Sequence, residues 1–131
     1  MKKRAAPPPA PARPRLVLVV DDDDMIRRLV RTVLEADELE VVEVPNGLAA
    51  LEAAEAQHPT VVVLDVMMPG LDGVEVCRRL DHDKVKVVML TARDDPDLED
   101  AARAAGADAF LTKPFSSVDL LDVVERLLDA P

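Results

Sequence analysis

At 131 residues with a formal charge of −10 and a single cysteine, Cys77, the chain is one domain by length and holds no internal disulfide. The charge is unevenly placed: Lys2, Lys3, Arg4, Arg13 and Arg15 fall in the first fifteen residues with no acid among them, which leaves −15 on the rest. A body so acidic argues against nucleic acid as a direct ligand, because phosphate binding takes clustered Lys and Arg.

Residues 1–15 form a basic Pro/Ala tract without apolar periodicity, read as a disordered leader ahead of a domain over 16–131. No apolar stretch of signal-peptide length follows its basic residues, and 16–20 is far too short to span a bilayer, so a cytoplasmic, membrane-free location is expected. Strand-like runs then follow at 16–20, 40–44, 61–65, 85–90 and 109–112, alternating with helical patterns. The first, third and fourth runs are nearly continuous Val, Leu and Met, the composition of central strands buried on both faces. Ile26, Leu29, Val30, Val33 and Leu34 recur at helical spacing, as do Leu120, Leu121, Val124, Leu127 and Leu128. Residues 47–57 and 97–105 are Ala-rich helices with narrow apolar faces. Ser116 with Asp119 resembles a capping box for the last helix, and Gly106 sits where the fourth helix should end. Strict β–α alternation predicts an α/β fold with a mostly parallel sheet covered on both faces. The fifth helix reaches almost to Pro131, so no second domain is expected.

Polar residues close four of these runs: Asp21 and Asp22 after the first, Asp65 on the third, Thr91 after the fourth and Lys113 after the fifth. In parallel α/β sheets the carboxyl ends of the strands share one rim, where ligands bind. Each residue has a plain alternative. Asp23 and Asp24 need be no more than helix-starting acids, Lys113 a surface charge, Thr91 a strand end and Phe110 core packing. Asp21 and Asp22 extend a buried strand, and carboxylates crowded with Asp65 suit a hard divalent cation with oxygen ligands such as Mg²⁺. Asp65 is then a ligand alone, or also a nucleophile accepting a phosphoryl group. Cys77 is read as a quiet structural thiol, and His58 and His82 make no zinc pattern.

The stretches Val19-Val20-Asp21-Asp22, Leu64-Asp65-Val66-Met67-Met68-Pro69-Gly70-Leu71-Asp72-Gly73, Met89-Leu90-Thr91-Ala92 and Thr112-Lys113-Pro114-Phe115 resemble, in order and spacing, the motifs of bacterial response regulator receiver domains of two-component signalling. The resemblance covers residues 16–130. It implies the flavodoxin-like receiver fold, a five-stranded parallel sheet of order 2-1-3-4-5 flanked by five helices. It also implies a phosphorylation switch rather than an enzyme. Asp65 would be the phosphoacceptor. Asp22, Asp65 and the Met67 backbone carbonyl would bind Mg²⁺ or Mn²⁺ directly, and Asp21 through water. Lys113 would pair with Asp65 and with the phosphoryl group, Thr91 and the Ala92 amide would hold the phosphoryl group with it, and Thr91 with Phe110 would be the switch pair. Lys113-Pro114 would be a cis peptide bond, and Met67 and Arg93 would tune hydrolysis. The implied partners are a sensor histidine kinase or phosphotransfer protein, and a downstream protein at the face of the fourth helix, fifth strand and fifth helix. Arg126 stands against Asp119, Asp122, Glu125 and Asp129 on the last helix, which weakens the case for the family's winged-helix dimer on that face.

Competing readings fit less well. A haloacid-dehalogenase-like phosphatase needs a general acid two residues after the nucleophile, where Met67 stands. A nucleotide-binding module wants glycines after the first strand, where Asp21–Asp24 stand instead. A degenerate, phosphorylation-independent receiver would lack site residues that are all present. The receiver half of a DNA-binding regulator stays open, as do phosphate relay and phosphate sink.

Overall fold

In a computed structural model, which describes residues 15–92 and 95–130, the apolar runs become strands β1 (Leu16–Val20), β2 (Glu40–Val44), β3 (Val61–Asp65), β4 (Lys86–Thr91) and β5 (Ala109–Thr112). Between them lie helices α1 (Asp24–Ala36), α2 (Gly47–Gln57), α3 (Gly73–Arg79) and α4 (Pro96–Ala104), and α5 (Ser117–Asp129) follows the last strand. All pairings are parallel and the order is β2-β1-β3-β4-β5. β1 and β3 are buried along their whole length, as strands flanked by neighbours and covered on both faces must be.

The two-residue alternation of strands sorts the core into two layers. Leu18, Val20, Val62, Leu64, Val87 and Met89 pack with Ala50, Val76 and Ala102, on the side of α2, α3 and α4. Val17, Val19, Val61, Val63, Val88 and Leu90 pack with Val30, Leu34, Leu120 and Val124, on the side of α1 and α5. Leu29 departs from the expected core face and is 49 % exposed. At about 100° per residue it falls on the margin of the stripe centred on Ile26, Val30 and Val33.

Every helix start carries a side-chain cap. Asp23 accepts from the Met25 and Ile26 amides, Asn46 from Ala49, Asp72 from Glu75, Asp95 from Leu98, and Ser116 from Asp119. Gly106 ends α4 as expected. With φ of 112° its amide reaches the Arg103 carbonyl at 3.0 Å, and the Ala107 amide returns to Ala102 at 3.0 Å. Two elements sit one residue off the sequence reading at both ends, β4 against 85–90 and α4 against 97–105. β4 starts at Lys86 because the Val85 amide is used by the Asp81 carbonyl (3.1 Å) in the preceding turn. α4 starts at Pro96 because Asp95 caps it and proline suits the first helical position. The leader, apart from Arg15, lies outside the described residues, as does Arg93. No described helix is long and apolar enough to cross a membrane.

Candidate functional site

Parallel register brings the carboxyl ends of the strands to one rim. Val20 pairs with Leu64, Asp65 with Leu90, and Thr91 with Thr112, so Asp21, Asp65, Thr91 and Lys113 all lie at the same end of the sheet. Asp21, Asp22 and Asp65 each offer a carboxylate oxygen, and these oxygens lie within 4.8 Å of one another. Asp21 is fully buried, Asp65 is 5 % exposed and Asp22 is open to solvent. Lys113 bridges the two buried acids: its Nζ is 3.1 Å from Asp21 Oδ2 and 3.3 Å from Asp65 Oδ1. The Asp23 amide donates to Asp21 Oδ1 at 2.9 Å, and the Met67 amide to Asp65 Oδ1 at 3.3 Å. Asp23 and Asp24 play the helix-starting part read from the sequence, one as the cap and one in the first turn of α1.

Electrostatics follow from this crowding. Burial, and then the charge of Asp21, push the Asp65 carboxyl up to about 6, although Lys113 and the Met67 amide pull the other way. Burial works against the Lys113 ammonium, but Asp65 and Asp21 outweigh it and hold its pKa above the ordinary lysine value. The oxygen-only donor set, with one ligand facing solvent and two held by hydrogen bonds, fits a hard divalent cation.

Thr91 is buried at the end of β4, and the Lys113 amide donates to its carbonyl at 2.7 Å. Ala92 follows on an exposed bend, and Met67 is 69 % exposed beside the acids. The Lys113-Pro114 bond is cis. Phe110 is half-buried, packs on the α2–α3–α4 layer, and carries the Arg103 guanidinium 4.6 Å from its ring centroid. Cys77 is inert: its thiol is buried, donates to the Ala105 carbonyl at 3.6 Å, and is pushed to about 11 by burial and then by Asp108.

Three supporting residues escaped the sequence reading. Gly73 opens α3 directly against the strand that carries Asp65; a Cβ there would collide with the Asp65 carbonyl oxygen and lie 2.7 Å from Val66 Cα. Arg27 and Glu43 join α1 to β2 beside Asp21, with Arg27 Nε 3.1 Å from Glu43 Oε1. The one signal for Glu43 is an acid set between Val42 and Val44 inside β2. Its hydrogen bond from Arg31, with a further one from Arg27, holds its carboxyl below the usual range against the effect of burial.

Residues 17–125 match the family model of the response regulator receiver domain. The chain is 45 % identical over 113 residues to the transcriptional regulatory protein CseB of Streptomyces avermitilis, covering 86 % of this chain and 48 % of that protein. It is 40 % identical over 114 residues to the alkaline phosphatase synthesis transcriptional regulatory protein PhoP of Bacillus subtilis, with the same coverage of 86 % and 48 %. The chain thus spans about half the length of the curated relatives it matches. Among solved structures, the chemotaxis protein CheY4 of Vibrio cholerae superposes with a TM-score of 0.81 at 31 % identity, over 86 % of this chain and 97 % of that one. A putative response regulator from Chloroflexus aurantiacus gives 0.83 at 32 % identity, over 90 % and 100 %. With the motifs in order, the sheet in the order 2-1-3-4-5 and the family match across the body, the chain belongs to the response regulator receiver domains of two-component systems.

Proposed function

We propose that this receiver is a phosphorylation-dependent signalling switch in the cytoplasm. Its Asp65 accepts a phosphoryl group from a sensor histidine kinase or a phosphotransfer protein in a Mg²⁺-dependent step. The observation that carries this reading is the convergence of Lys113 on Asp65 and Asp21, with Asp22 in the same cluster. Phosphoryl transfer asks little covalent work of a protein but much positioning and positive charge, and this rim holds a nucleophile and a cation from strands far apart in sequence.

Asp22, Asp65 and the Met67 carbonyl would hold Mg²⁺ or Mn²⁺ directly, with Asp21 acting through water. When bound, the cation neutralises charge on the phosphoryl oxygens. Asp65, with its carboxyl at about 6, is largely ionised at neutral pH. A carboxylate oxygen forms the new O–P bond while the N–P bond of the donor phosphohistidine breaks, its electron pair returning to the imidazole. Lys113 shifts its contact from Asp65 to a phosphoryl oxygen, and the Thr91 hydroxyl and the Ala92 amide bond the others. Drawing Thr91 inward favours an inward Phe110 and reshapes the α4–β5–α5 face toward a downstream protein, a shift between two populations rather than an enzymatic turnover.

A second reading is favoured by one finding: relatives called transcriptional regulatory proteins are about twice as long as the matched segment. In that reading the domain is the receiver half of a DNA-binding regulator, and its own acidic body makes no contact with nucleic acid. Acetyl phosphate with Mg²⁺ should add one phosphoryl group to the chain, read by intact-protein mass. Labelling of Asp65→Asn at the wild-type level would overturn the assignment.

A further inference from the structure

Neighbouring side chains of an extended chain point to opposite sides, so Asp21 and Asp22 reach a common point only if the backbone turns between them. It does so at a bend on Asp22, two residues beyond the last ladder pairs, Val20 with Val44 and Val20 with Leu64. The strand hydrogen bond offered there, from the Asp21 amide to the Val44 carbonyl, is long at 3.4 Å. The Asp21 carbonyl is instead met by Arg27, whose Nη1 donates to it at 2.8 Å. The guanidinium is itself fixed. Its Nε donates to Glu43 Oε1 at 3.1 Å and its Nη2 to Asp24 Oδ1 at 2.6 Å, and the side chain is only 15 % exposed. Glu43 is fixed in turn, because Arg31 Nη1 holds its other oxygen at 2.8 Å while Arg31 Nε holds Glu35 at 3.0 Å.

We propose that Arg27 is a positioning residue for the paired acids: clamped by Glu43 and Asp24, it sets the orientation of the Asp21–Asp22 peptide group and so aims both carboxylates at one divalent cation. The inference rests on reading the acid cluster as a Mg²⁺ site. Arg27 touches neither the cation nor the phosphoryl group; it acts through the backbone. Only a planar fork serves three acceptors in three directions at once, so lysine does not replace it even though the charge is kept.

The proposal fixes the sign of the effect. An arginine that merely lay near the acids would repel Mg²⁺, and removing its charge would tighten binding. A positioning arginine does the reverse, because partners that orient metal ligands typically support affinity by about 10- to 100-fold. The test is calorimetric titration of Mg²⁺ into the metal-free full chain, with thermal unfolding of each metal-free variant alongside. Arg27→Gln and Arg27→Lys should each weaken Mg²⁺ binding about tenfold, and Glu43→Gln, which loosens the clamp without touching Arg27, should weaken it in the same direction by less. Folded Arg27→Gln that binds Mg²⁺ as tightly as wild type or more tightly overturns the proposal, as does full rescue by lysine. Where the Arg27 variants do not fold, Glu43→Gln decides, and unchanged affinity there is equally fatal. Wild-type protein that binds no Mg²⁺ would instead sink the cation reading itself, and the inference with it.

Discussion

Asp65 should destabilise the metal-free fold at neutral pH, and replacing it by asparagine should reveal by how much. In the folded domain its carboxyl titrates at about 6, against 3.8 in an ordinary environment. A group whose folded pKa is raised binds its proton more tightly in the native state, so its contribution is fully present below the unfolded pKa and is lost as pH rises through the folded one. With about 1.4 kcal/mol per pKa unit, ionising Asp65 costs the metal-free domain about 3 kcal/mol between pH 4 and pH 7. Asparagine keeps the shape and never ionises. Metal-free Asp65→Asn should therefore be more stable than wild type at pH 8 by about that amount, with the advantage falling to roughly half near pH 5. Mg²⁺ should close most of the gap: at a concentration about 100-fold above its dissociation constant a ligand of the native state alone adds about 2.7 kcal/mol, and the wild type should collect it preferentially. The assay is urea unfolding in chelator at the two pH values and again with Mg²⁺. It is followed by far-ultraviolet circular dichroism, since the chain has no tryptophan or tyrosine. A variant no more stable than wild type at pH 8, or an advantage that does not shrink on acidification, refutes the reasoning.

Two further substitutions separate the site from its supports. Gly73→Ala would drive a methyl group into the Asp65 carbonyl and Val66 Cα, both backbone, so α3 must retreat from β3; a loss of about 1–3 kcal/mol in urea unfolding is expected, together with reduced acetyl phosphate labelling, and a variant unchanged in both measures would show that the close approach is unimportant. Asp23→Ala removes the cap on the Met25 and Ile26 amides; it should cost about 1 kcal/mol in the same assay and leave calorimetric Mg²⁺ affinity at the wild-type value, whereas a large loss of affinity would move Asp23 into the site.

The central strands were legible because burial on both faces writes itself as nearly unbroken Val and Leu, the edge strands as shorter apolar runs between helices, and the bounds at 16–20, 40–44, 61–65 and 109–112 coincide with β1, β2, β3 and β5. The rim was legible for a geometric reason: parallel strands end together, so the residue closing each apolar run faces the residue closing the next. Contacts between residues that share no periodicity were hidden. Arg27 lies on a helix whose apolar stripe predicts what faces the core, not which carbonyl its polar face will meet. Gly73 looked like part of a turn, yet its work is a close approach to a strand eight residues earlier. The seat of Arg103 over Phe110 likewise depends on how α4 settles against β5, which no local pattern encodes. The Lys113 contact with Asp21 went unread because the pairing with Asp65 already accounted for the ammonium.

The bridge from Lys113 to Asp21 joins residues 92 positions apart, across a rim whose acids come from the first half of the chain. During synthesis Asp21, Asp22 and Asp65 all leave the ribosome well before the one ammonium that compensates them. A nascent chain that stops short of β5 holds Asp65 without its counter-charge, and closing so long a loop is among the slower steps of folding. The charge balance of the rim therefore arrives last, with the edge strand, and a half-docked domain carries the acids without the ammonium that bridges them.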